Sequence, residues 1–322
     1  MNQSQSQTQS QTQTQTQTQT YFSPIFQGAA PTRFRIEHLT RYRYLNEVGL
    51  NYGEARLLPR QTPGQRVLFS QLELDPRPDD YRERADPWGN RIAWFMSQQP
   101  HPSLCVIAHS LIERLPTPLP DDSPPWEEVA ARLRGPADAA VAAREFCLES
   151  PMIAASEEAT TYVGASFTPG RGLLEAVADL SARIRTDFRY RPNATQIDTP
   201  LSEVLRERHG VCQDFAHLAL AGLRGLGLAA RYVSGYLETI PPEGQPAQVG
   251  ADASHAWIGV WLPELGWFDF DPTNGVACGE GHLTLAWGRD YSDVTPFKGV
   301  IHGGGAHTLT VGVTVTRLGN DT

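Results

Sequence analysis

Cys212, His255 and Asp271 are the residues whose types and order could do chemistry together. In "HGVCQDFAHLALAGLRGLG", residues 209–227, Gly210 and Val211 break the chain between two helical patterns, so Cys212 falls at or near the first turn of a new helix. There the unpaired backbone N–H groups and the helix dipole favour a thiolate over a thiol. The same N–H groups can stabilise an oxyanion formed beside the sulfur. The plain alternative is a small buried cysteine, since free cysteine is commonly buried. A cysteine nucleophile needs a base, and the base needs an orienting group. The downstream stretch "SHAWIGVWLPELGWFDFDP" supplies both types. His255 lies eight residues before Pro263, where the turn "PELG" begins, and Asp271 lies eight after it. In a hairpin centred there the two face each other across adjacent strands, roughly 5 Å apart and on one face. A shift of register makes Asp269, which shares that face, the competitor. Trp257 is one strand period from His255; it shields the His–Asp pair, lines the substrate cleft, or packs in the core.

Other polar residues offer less. His209 and His217 bracket Cys212, which makes zinc the metal alternative, but paired CxxC or HxxxH spacing is absent. No acidic calcium loop is present either, so neither a metal nor a cofactor is expected. Asp214 sits in the first helical turn, where a carboxylate suits the dipole, and reads as structural. His38, His101, His109, His282, His302 and His307 have no consistent partner and read as surface or structural residues.

The elements that must position these residues fall into four segments of the 322-residue chain. Residues 1–30 include the repeat "QSQSQTQSQTQTQTQTQT", which has no apolar residue and is expected to be a disordered tail. Residues 31–115 hold the strand-like runs "RFRIEHLTRYRY", "RVLFSQLELDP", "RIAWFMSQ" and "SLCVIAHSLIERL", with a turn at "DPWGN"; they predict an antiparallel, sandwich-like β domain. Residues 116–150 read as a Pro-rich linker and helices. Residues 151–322 are expected to be the catalytic domain. There, Leu173, Leu174, Val177, Leu180 and Ile184 line one helix face, and Phe215, Leu218, Ala219, Gly222, Leu223 and Leu226 line another. Three strand-like runs follow, and "HTLTVGVTVTRL" closes the chain as an alternating strand. Helices followed by antiparallel strands predict an α+β fold.

A net charge of −9 argues against a nucleic-acid surface. No run approaches the roughly 20 apolar residues of a membrane span. The four cysteines form no CxxC pair and no secretory signal is visible, so a cytoplasmic setting is expected.

At this point the residues resemble a known family. "GVCQDFAHLALAGLRGLGLAARYVSGYL" and "SHAWIGVWLPELGWFDFDPTNG" are similar to the core of the transglutaminase-like superfamily. "RLLPRQTPGQ", "DPWGN" and "GRDYSDVTPFKGV" resemble its bacterial branch, with a β-rich domain before the core. The resemblance implies a papain-like fold and a triad of Cys212, His255 and Asp271, and it favours Asp271 over Asp269. It implies a cysteine peptidase or amidase acting on a protein or peptide substrate. Transamidation is the alternative within the family, and a binding or scaffold protein is the alternative outside it.

Overall fold

The computed structural model describes residues 31–115, 117–136, 140–238 and 254–319. The tail expected over residues 1–30 lies outside them. The elements run β1 (Thr32–Ala55), β2 (Gln65–Asp75), β3 (Asp80–Ala85), β4 (Arg91–Ser97) and β5 (His101–Arg114). Next come α1 (Trp126–Arg134), α2 (Val141–Arg144), α3 (Glu157–Gly164), α4 (Leu173–Asp187), β6 (Arg189–Tyr190), α5 (Leu201–Glu207), β7 (His209–Gly210) and α6 (Cys212–Gly225). The chain ends with β8 (Ala230–Leu237), β9 (Ser254–Leu262), β10 (Gly266–Asp271), β11 (Val276–Ala277), β12 (His282–Gly288), α7 (Tyr291–Val294), β13 (Phe297–Gly303) and β14 (His307–Leu318).

The first sheet is built around β1, whose Phe34, Ile36, His38 and Thr40 alternate inward. Antiparallel to it on one side run β5 and then β4; on the other side run β14 and then β13. Registers shift between Arg43 and Val48, so the ribbon bends there and its two halves share one core. Phe34, Val106 and Val313 come from one half, and Ala55 and Phe95 from the other. The strands of residues 31–115 supply five of the seven in this sheet. The C-terminal strands β13 and β14, expected inside the catalytic segment, complete this sheet instead. Pairing from Arg33↔Leu318 through Tyr44↔His307 covers an edge of β1 that would otherwise be open.

The second sheet has the order β11-β10-β9-β8-β12 and is antiparallel throughout. One face packs on the helices. The other meets the first sheet, where Tyr236, Leu283 and Leu285 join the core of Phe34 and Val106. The expected inward residues of α4 are all buried. In α6 burial goes beyond the expected stripe: every residue from Asp214 to Arg224 is buried, because the helix runs between β8 and β9 on one side and α3 on the other. The α+β architecture and its papain-like core thus place the start of one central helix against the ends of two neighbouring strands.

Candidate active site

Local chemistry fixes the start of α6. Arg208, in the left-handed region at φ 53°, ends α5 and turns the chain into β7. Strand β7 pairs in parallel with β6, setting Tyr190 beside Gly210. Asp214 Oδ2 accepts the Val211 N–H at 2.8 Å and the Thr195 hydroxyl at 2.7 Å, so it caps the helix from its third position. A Cβ on Gly210 would lie 2.7 Å from that carboxylate oxygen, which explains why glycine precedes the Val–Cys pair. Asp214 is therefore structural, as expected. Cys212 heads the helix half-exposed, with the N–H groups of the first turn around it.

The hairpin of β9 and β10 brings the other two residues, in a register two residues away from the expected one. Leu262 pairs with Gly266 and Ile258 with Phe270, so the loop is Pro263–Glu264–Leu265, with Glu264 left-handed at φ 61°. Asp271 consequently lies opposite Trp257 and diagonal to His255, on the same face. The diagonal is short enough: His255 Nε2 and Asp271 Oδ2 are 2.8 Å apart. The other ring nitrogen is left for Cys212, which lies near enough to raise the ring. Asp269, the competitor, points elsewhere. It accepts from Trp257 Nε1 at 3.2 Å and from Arg231 at 3.4 Å.

Electrostatics follow from these contacts. Burial opposes charge on His255, but the hydrogen bonds to Asp271 and Cys212, and the negative charges of both, outweigh it and raise the ring to about 10. Burial pushes the other way on Asp271 too. The donors of His255, His282 and Asn274 overcome it and hold the carboxyl far below the usual carboxylate range. At neutral pH the pair is an imidazolium and a carboxylate. The phenols of Tyr190 and Tyr232 are pushed up by burial first and then by Cys212, and that of Tyr291 by burial, then Tyr42, then Cys212. Burial likewise raises the Cys278 and Cys147 thiols.

Trp257 is 0 % exposed; its ring meets His282 edge-on at 5.4 Å. It packs beside His255 and joins Arg231, Asp269 and His282 in the wall of one pocket. His217, half of the zinc alternative, is buried against Tyr232 and accepts the Tyr291 N–H at 3.3 Å, while His209 faces the Glu207 carbonyl. Among the described residues no group of three or more His, Cys, Asp and Glu is arranged to hold a metal. Three neighbours escaped the sequence reading. Tyr190 sits far upstream of the cysteine, Asn274 lies just past the aspartate, and His282 donates to Asp271 from a strand with no motif. Only the proximity of Asn274 to Asp271 could have signalled its role.

This geometry, a cysteine at a helix start near a histidine held by a buried aspartate, is suited to acyl transfer from an amide. Comparisons with known proteins agree with it. Residues 34–113 match the bacterial transglutaminase-like N-terminal region, and residues 163–272 match the transglutaminase-like superfamily. An uncharacterized protein of Mycobacterium tuberculosis is 41% identical over 280 residues, covering 84% of this chain and 88% of the relative. The protein-glutamine gamma-glutamyltransferase of Pseudomonas aeruginosa is 35% identical over 91 residues, 28% of this chain and 14% of that protein. The crystal structure of "a Putative Cysteine Protease from Cytophaga hutchinsonii" shares the fold, with a TM-score of 0.71 at 19% identity over 91% of this chain and 93% of that one. The chain belongs to the transglutaminase-like superfamily and carries, ahead of the core, that superfamily's bacterial N-terminal region.

Proposed function

We propose that the protein is a thiol hydrolase of amide or peptide bonds in proteins or peptides. The observation that carries this reading is the 2.8 Å contact of His255 Nε2 with Asp271 Oδ2, made by a ring that Cys212 also raises. In the first half-reaction the Cys212 thiolate attacks the amide carbon. The imidazolium of His255 gives its proton to the departing amine, and a thioester remains on the sulfur. In the second half, His255 takes a proton from water, the hydroxide adds to the thioester, and the acid leaves as the thiolate is restored. Asp271 holds the ring and balances its charge throughout. The first-turn N–H groups of α6 and the Tyr190 phenol are the available donors for the oxyanion. Water suits the role of acceptor because Cys212 is half-exposed. The four free thiols fit the cytoplasmic setting we propose with it.

Transfer to an amine is the second reading, favoured by the likeness to the Pseudomonas glutamyltransferase; it shares the first half-reaction. Incubation with casein and a fluorescent amine separates the two. Peptide release that disappears in Cys212→Ala is the expected result. Incorporation of the amine without release would replace hydrolysis by transfer, and neither product from the wild type would defeat both.

A further inference from the structure

Asp271 is held by more than the hairpin that carries it. Oδ2 accepts from His255 Nε2 at 2.8 Å, from Asn274 Nδ2 at 2.5 Å and from His282 Nε2 at 3.2 Å. Oδ1 accepts the backbone N–H groups of Thr273 at 2.9 Å and Asn274 at 3.2 Å. A carboxylate offers about four lone-pair sites, so these donors fill it. The tautomer of His282 is fixed from its far side. Its Nδ1 faces the Gly279 N–H at 3.2 Å, which can only donate, so the ring proton is on Nε2 and aimed at Asp271.

The sheet makes room for this reach. His282 begins β12, and β8 and β9 separate that strand from β10 in the sheet order. Between them Gly235 presents no side chain. A Cβ there would lie 2.4 Å from the Trp257 ring, the same ring that packs edge-on against His282. Ionisable groups approach His282 from every neighbouring element: Arg114 of β5, Arg231 of β8, His255 of β9, Asp269 and Asp271 of β10, and Cys278 from the turn before β12. No donor among them replaces it. Arg231 is turned to Asp269, and Arg114 to the carbonyls of Gly64 and Gly279.

We propose that His282 is a positioning residue: as a neutral imidazole it keeps Asp271 aimed at His255, and through His255 it sets the charge state of the Cys212 thiol. It acts through Asp271. Without it Oδ2 keeps two of its three donors, His255 and Asn274, and the carboxylate is free to turn towards Asn274, which weakens the counter-charge on His255. The inference rests on the triad reading above.

The test needs no substrate. The rate of Cys212 alkylation by iodoacetamide is followed against pH on the full chain, with tryptic mass spectrometry locating the label. The wild-type midpoint is the reference, and His255→Ala, which removes the counter-charge, should raise it. His282→Leu should raise it by about one pH unit, a tenfold slower labelling below the midpoint. His282→Gln, whose amide nitrogen reaches the place of Nε2, should restore the wild-type midpoint, and the shorter His282→Asn should not. If the wild type and His255→Ala label alike, the triad reading itself fails, and this inference with it. If His255→Ala raises the midpoint but a folded His282→Leu leaves it unchanged, the triad stands and the role of His282 is overturned. Should the leucine variant fail to fold, the amide pair decides: equal midpoints for Gln and Asn overturn the proposal, and a raised midpoint for Asn alone supports it.

Discussion

His38 in the first sheet is buried and His255 in the second largely so, yet the two rings take opposite charge states. His38 is 2 % exposed, with Nδ1 on the Tyr236 hydroxyl at 2.9 Å and Nε2 on the Thr40 hydroxyl at 3.1 Å. No carboxylate is among these partners, so desolvation alone acts and lowers the ring to about 4. His255 is lowered by desolvation too, but Asp271, 2.8 Å away, and Cys212 outweigh it, and the ring is raised to about 10. The first ring is a neutral pin between two sheets; the second is a cation at neutral pH. One well-held carboxylate makes the difference, which locates the proposed chemistry more firmly than the presence of a histidine does.

The contrast breaks hardest at Asp271. Asp271→Asn keeps the shape and removes the charge, so turnover should fall by roughly two to four orders of magnitude while the chain stays folded. Imidazole NMR should show His255 titrating well below about 10, in the direction of His38. A His255 still charged at pH 8 in that variant would refute the comparison.

A smaller effect is expected in stability. A histidine neutralised by folding contributes nothing unfavourable above its unfolded pKa of about 6.5, and stability is lost as the pH falls from there towards about 4. His38 and His217, both lowered to about 4 by burial, should each cost up to roughly 3 kcal/mol across that window. His255 has the opposite sign. Its contribution is complete below about 6.5 and is lost as the pH rises through about 10. Urea titrations at successive pH values should therefore show a shallower acid loss in His38→Gln, and a shallower alkaline loss in Asp271→Asn. An acid limb unchanged by His38→Gln would remove His38 from the argument.

Asp269→Asn should matter least. The residue faces Trp257 and Arg231, outside the set of donors on Asp271, so turnover should change by less than about threefold, or ~0.6 kcal/mol. A loss as large as that of Asp271→Asn would show that Trp257 transmits orientation to the pair.

Cys212, His255 and Asp271 were readable because each sits in a local pattern: a chain break before a helical stripe, and two strands around a short loop. The inward faces of β1 and α4 were readable for the same reason, since alternation and helical period survive in a short window. The hairpin register was not, because it depends on Glu264 adopting a left-handed conformation that no glycine announces. His282 was invisible for a different reason. Its partner is set by the order of four strands, and spacing along the chain carries no record of that. The destination of β14 was hidden likewise: its alternating sequence marks a strand but not the edge it seeks.

The return of β13 and β14 to β1 also imposes an order on biosynthesis. Both lie beyond the entire second sheet, so when β1 leaves the ribosome half of its hydrogen-bonding edges have no partner yet. At about 5–20 residues per second the missing strands follow only after on the order of tens of seconds. Until then the nascent chain carries an open, strand-ready edge, and a ribosome that stalls or a transcript cut short just past α7 leaves a product with Cys212, His255 and Asp271 all present and that edge still uncovered.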